Sequence, residues 1–131
     1  MPARIAIVGA KDVPGQPVDR VGRHLLEAGH TVIPVHPVRR TVWGLPAHPD
    51  LSSLPEPVDI VVLFRASACC PDHAREVLAM PERPGCLWMQ LGIESGEARG
   101  ILAGSGVEVV EDACVMVERM RLFPGIPERR P

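Results

Sequence analysis

IAIVGAKDVPGQPVDRVGRHLLEAGHTVIPV, residues 5–35, reads in one pass as strand, loop, helix and strand. Ile5 to Val8 is an unbroken apolar run halted by Gly9, the pattern of a strand covered on both faces. Val18, Val21, Leu25 and Ala28 recur at spacings of three, four and three, which places them on one helical stripe, and Gly29 supplies the stop. Thr31 to Val35 is a second strand, closed by His36-Pro37. A strand, a helix and another strand at this pitch predict parallel pairing through a right-handed crossover.

The alternation continues. Val58 to Phe64 is the strongest strand signal and is expected at the sheet centre; Cys86 to Leu91 and Val107 to Val110 complete five strands. Between them, a helix opening at Pro71 turns Ala74, Val77 and Leu78 inward until Pro81 and Pro84 end it. Glu97 to Ala103 carries Ala98, Ile101 and Leu102 on one face. Leu51 to Leu54 suits only a short helix, bracketed by prolines at 49, 55 and 57. The predicted fold is α/β: a Rossmann-like, doubly wound open sheet of about five parallel strands with helices on both faces. With 131 residues and 46% hydrophobic content, one core is expected, in a single domain over residues 1–122, followed by a frayed tail over 123–131.

Composition removes several functions. A formal net charge of -2 gives no basic field to recruit nucleic acid. No apolar run approaches the ~20 residues needed to span a bilayer, and Met1-Pro2-Ala3-Arg4 does not open a signal peptide, so a soluble cytoplasmic protein is expected. Cys69, Cys70, Cys86 and Cys114 lack the spacing of a disulfide framework. Cys69-Cys70 with His73 has no second ligand cluster to make a zinc site, so reduced thiols and no metal are expected.

In a doubly wound sheet, ligands bind beyond the carboxyl ends of the strands. The residues there are Gly9-Ala10-Lys11, His36-Pro37-Val38-Arg39-Arg40, Arg65-Ala66-Ser67, Gly92-Ile93 with Gln90 just inside, and Asp112-Ala113-Cys114. The dinucleotide spacing G-x-G-x-x-G is absent, because the glycines fall at 9, 15 and 22. The loop entering the first helix still offers backbone N–H groups and the positive end of the helix dipole to a phosphate. NAD-binding units place a carboxylate after the second strand; here His36-Pro37 and Arg39-Arg40 stand instead. Guanidinium forks at that position favour a phosphorylated ribose, either NADP or the 3′-phosphorylated ADP of coenzyme A. Arg65 follows the most apolar strand and needs a counter-charge, whether a phosphate or Asp12 or Asp112. Cys114 brings a thiol to the same edge, within reach of a ligand held there.

Taken in order, IAIVGAKDVPGQPVDRVGRHLLEAGHTVIPVHP, VDIVVLFRAS, LWMQLGIES and EDACVMVERMRL resemble the small stand-alone CoA-binding domain proteins, relatives of the N-terminal domain of the succinyl-CoA synthetase alpha subunit. The resemblance rests on the V-x-P of Val35-His36-Pro37, on Phe64-Arg65, on Gln90-Leu91-Gly92 and on Cys114. It implies that Gly9, Ala10 and Lys11 wrap the CoA phosphates, that His36 and Pro37 border the adenosine, that Phe64 and Arg65 flank the middle of the cofactor, and that Gln90, Leu91 and Gly92 lie beside the pantetheine. The chain departs from the family pattern at Lys11, Val38 and Val115, and Arg39 with Arg40 replaces the cation missing at 38. Ligase chemistry is not expected here, since the synthetase's phosphorylated histidine belongs to a further domain and the five histidines of this chain form no nucleophile-and-base pattern.

The reading is therefore a binder of coenzyme A or an acyl-CoA, acting as carrier, sensor or accessory protein without catalytic machinery of its own. An NADP-dependent oxidoreductase-type domain is one alternative. It is disfavoured by the absence of tyrosine and by Lys11 being the only lysine. The other is a non-catalytic docking subunit of a larger ligase; a homo-oligomer or a larger enzyme partner fits either case.

Overall fold

The structure, a computed structural model, describes residues 3–116. Strands β1 (Arg4–Val8), β2 (Thr31–Val35), β5 (Ile60–Leu63), β6 (Cys86–Met89) and β7 (Glu108–Val110) pair in parallel in the order β2-β1-β5-β6-β7. The fold is the expected α/β Rossmann-like one, and β5 occupies the centre. Because the order reverses between β1 and β5, the carboxyl ends of those two strands open the crevice of a doubly wound sheet.

Period-two alternation divides the core between two faces. Ile5, Ile7, Ile60, Val62 and Trp88 pack with Val18, Val21 and Leu25 of helix α1 (Pro17–Glu27) on one face. Ala6, Val8, Val61, Leu63, Leu87 and Met89 pack on the other with Ala74 and Val77 of α2 (Cys70–Ala79) and with Ala98 and Leu102 of α3 (Gly96–Leu102). Trp88 and Leu63 are fully buried, as a sheet covered on both sides requires. Among the described residues no helix is long and apolar enough to cross a membrane.

Strand and helix ends shift by one or two residues from the sequence reading. Gln90 and Leu91 fall outside β6 because the chain peels away after Met89, where the Gln90 N–H reaches the Leu63 carbonyl only at 3.5 Å. Leu51–Ser53 forms a short 3-10 turn whose first carboxylate, Asp50, accepts from the Ser53 N–H. The expected tail over 123–131 lies outside the described residues.

One element escapes the sequence reading: the antiparallel hairpin of β3 (Thr41–Val42) and β4 (Leu45–Pro46). Its two-residue turn needs positive φ at both positions, which Trp43 (φ 53) and Gly44 (φ 73) supply. The Trp43 ring lies where a Cβ on Gly22 would stand and donates from Nε1 to the buried Asp19 at 2.9 Å. That hydrogen bond holds the Asp19 carboxyl below the usual carboxylate range, burial works against it, and Arg23, bonded at 2.9 Å, adds to it. After the hairpin, His48 bridges to Val35 and covers the outer edge of β2, the strand that carries Pro34.

The switch point is built on Gly9. Its φ is 84, and a Cβ added to it would stand 2.4 Å from the Phe64 carbonyl oxygen. Only glycine permits that approach of β1 to the end of β5. Gly9→Ala combines a left-handed backbone with a backbone clash and is expected to destabilise the fold by roughly 2–4 kcal/mol. A urea midpoint unchanged from wild type would refute this account of the loop.

Candidate functional site

Two cavities meet over the switch point. One, of about 250 Å³, is lined by Gly9, Lys11, Gln16, Pro17, Val18, His36, Phe64 and Arg65. The second, of about 500 Å³, continues from the shared wall of Pro17, Phe64 and Arg65 and runs past Gln90, Leu91 and Cys114. The sequence-derived residues Gly9, Lys11, His36, Phe64, Arg65, Gln90, Leu91 and Cys114 thus converge on one crevice.

The smaller cavity is cationic. Lys11 is exposed, and no described carboxylate pairs with it. Arg65 lines both cavities, and its only hydrogen bond among the described residues runs to the Cys69 sulfur at 3.7 Å. Neither carboxylate expected to neutralise Arg65 does so. Asp12 accepts from Arg39 Nη1 at 3.0 Å and from the Trp43 N–H at 3.2 Å, while Asp112 accepts from the Gly92 N–H at 2.7 Å. Helix α1 begins at this cavity with Gln16 as an N-cap that makes no side-chain bond, so first-turn N–H groups are available to an anion.

His36 stands on the wall of the same cavity. Its Nδ1 accepts from the N–H groups of Val38 at 3.1 Å and Arg39 at 3.0 Å, which fixes the neutral ring with its proton on Nε2. Burial lowers the pKa of the imidazole, and the charges of Arg39, Lys11 and Arg65 lower it further.

The larger cavity is mostly apolar, with Val21, Ile93 and Met116 joining Phe64 and Leu91. Cys114 is half-buried, and its flanks are tied to β6 and to Gln90 just beyond it. Trp88 Nε1–H donates to the Ala113 carbonyl at 2.8 Å, and the Gln90 Oε1 accepts from the Val115 N–H at 3.0 Å. All four cysteines are free, and burial pushes the Cys86 thiol up to about 12. Among the described residues no group of three or more His, Cys, Asp or Glu is arranged to hold a metal ion.

Other predicted residues stand apart from these walls. Ala10 is fully buried, and its N–H, like that of Gly9, donates to the Val35 carbonyl, so those two amides are used within the sheet. Pro37 lines a separate cavity of about 130 Å³ with Gly9, Arg65, His73 and Glu76. Arg39 is held by Asp12, Arg40 is exposed on the loop, and Gly92 (φ 82) shapes the turn after β6. Conversely, Arg20 and Gln16 line the crevice without having been singled out. Arg20 lies one turn into α1 beside the inward stripe, and its distance from Pro17 is the signal that would have found it.

The sequence pattern of the family described as CoA binding domain matches residues 3–120. The uncharacterized protein YneT of Bacillus subtilis is 35% identical over 114 residues, covering 87% of this chain and 83% of its own. A solved Thermus thermophilus structure is 42% identical with a TM-score of 0.84, covering 93% of this chain and 91% of that one. A conserved hypothetical protein of Pyrococcus furiosus is 33% identical with a TM-score of 0.80, over 88% of this chain and 98% of its own.

Because the folded-state pKa of His36 is depressed, the fold favours its neutral form. The resulting stability is complete above the unfolded value near 6.5 and is lost as pH falls through the lower folded value. His36→Asn keeps an oxygen acceptor for the Val38 and Arg39 N–H groups at every pH. Urea midpoints at pH 7 and pH 5 are therefore expected to differ less for the variant than for wild type; equal differences would remove His36 from the acid response.

Proposed function

This chain belongs to the CoA-binding domain family, and we propose that it binds coenzyme A across the two joined cavities. The diphosphate lies in the smaller one, against Lys11, Arg65 and the first-turn N–H groups of α1. The 3′-phosphate falls to the loop after β2, where Arg40 is the exposed cation and Arg39 is already held by Asp12. The pantetheine arm runs into the larger cavity, past Phe64 to Gln90 and Cys114. A dianionic diphosphate joined to an uncharged arm matches a cationic cavity that opens into an apolar one.

Arg65 carries the proposal. Its guanidinium stands at the junction of both cavities, and no described carboxylate neutralises it. That exposed guanidinium, at the end of the central strand, offers its fork of donors to phosphate oxygens. The lining supports binding, as a carrier, sensor or accessory protein, over turnover. It offers cations, amide donors and apolar walls, and the one imidazole on it already has Nδ1 committed to backbone N–H groups.

A thermal-shift series with CoA, dephospho-CoA, NADP and NAD tests the proposal. At a hundredfold excess over Kd, CoA adds about 2.7 kcal/mol of stability and raises Tm by several degrees. Dephospho-CoA is expected to give a smaller shift. Arg65→Ala is expected to lose most of the CoA shift while melting near wild type without ligand, since the exposed side chain supports little of the fold. A shift with NADP and none with CoA would overturn the assignment.

A further inference from the structure

We infer that the larger cavity is built for the acyl group of an acyl-CoA, with Gln90 donating to the thioester carbonyl; the inference rests on the CoA reading of the site. Gln90 is 5% exposed and lines the cavity. Its Oε1 is committed to the Val115 N–H at 3.0 Å, so the amide is fixed with Nε2 as its free donor, and no described residue accepts from that Nε2. That donor opens onto the cavity, where a ligand oxygen can take the place of water on it. The thiol of free CoA is a weak acceptor, whereas a thioester carbonyl oxygen is a full one.

The walls around Gln90 carry the second half of the argument. Val21, Phe64, Leu91, Ile93 and Met116 give the 500 Å³ cavity an apolar surface, and Leu91 is 67% exposed. A chain of a few methylenes lying there removes both surfaces from water. The gain is on the order of fourfold in affinity for each methylene fully buried. The cation on the shared wall is Arg65, on the side where the phosphates enter, which leaves the stretch past Leu91 and Ile93 for the acyl chain. Free CoA fills only the arm and leaves both the Gln90 donor and the Leu91 face unused.

Isothermal titration of the purified protein with CoA, butyryl-CoA and the thioether S-butyl-CoA separates the two contributions. Butyryl-CoA is expected to bind at least tenfold tighter than CoA, and S-butyl-CoA, which keeps the chain but lacks the carbonyl, several-fold weaker than butyryl-CoA. Gln90→Glu retains an oxygen for the Val115 N–H and removes the amide donor, so the preference for butyryl-CoA over S-butyl-CoA should vanish. Leu91→Ala, at an exposed position that does not threaten folding, should reduce the advantage of both chain-bearing ligands over CoA. Butyryl-CoA binding no tighter than CoA would overturn the acyl assignment and leave the CoA reading intact. Binding of none of the three would overturn both.

Discussion

The approach of β1 to β5 at Gly9 is the constraint on which the crevice depends. With φ 84 and no Cβ, Gly9 lets its backbone pass the Phe64 carbonyl oxygen at a distance that any side chain would block. Its own N–H donates to Val35 at 2.9 Å, and the Phe64 N–H donates to Val8 at 2.9 Å. Three strand ends are thereby drawn together, and the loops that leave them carry Lys11, His36 and Arg65 to one place. The cations do not gather there by mutual attraction. They are held in spite of their repulsion by a sheet whose burial on both faces supplies the energy.

The few acidic groups near the crevice fasten loops and leave the positive charge at the phosphate side intact. Asp12 is bonded both to Arg39 and to the Trp43 N–H, so it ties the loop after β1 to the hairpin after β2. Asp19 receives Trp43 and Arg23, and Asp112 receives the Gly92 N–H. Each of these carboxylates faces a structural donor. Lys11 and Arg65 are left for solvent or ligand, which is the electrostatic arrangement that a polyanion requires.

Much of this was legible in the chain because a parallel sheet writes itself plainly. Its strands are continuous apolar runs, its first helix shows an unmixed stripe, and the reversal of strand order follows from ordinary crossovers. The cluster of residues after the strands followed from that topology without any contact being known. What was not legible depended on pairing rather than pattern. The β3–β4 hairpin is too short for alternation to register, and its only local mark is Trp43-Gly44, a dipeptide that suits a left-handed turn. That Asp12 would choose Arg39 over Arg65 is set by the path of the loop after β2, which periodicity does not describe. Arg20 was overlooked because a helical stripe identifies what faces the core, and this residue stands beside the stripe at the mouth of the crevice.

The two indoles lie in unlike surroundings. Trp88 is sealed in the sheet with its N–H on the carbonyl of the residue before Cys114, while Trp43 lies half-buried on the first helix with its N–H on a carboxylate. With no tyrosine and two tryptophans in the sequence, ultraviolet fluorescence divides between a blue, rigid emitter near one end of the crevice and a redder one near the other. Neither indole lines the crevice, yet each tryptophan is bonded to the chain neighbour of a wall residue, Trp88 to Ala113 beside Cys114 and Trp43, through its main-chain N–H, to Asp12 beside Lys11.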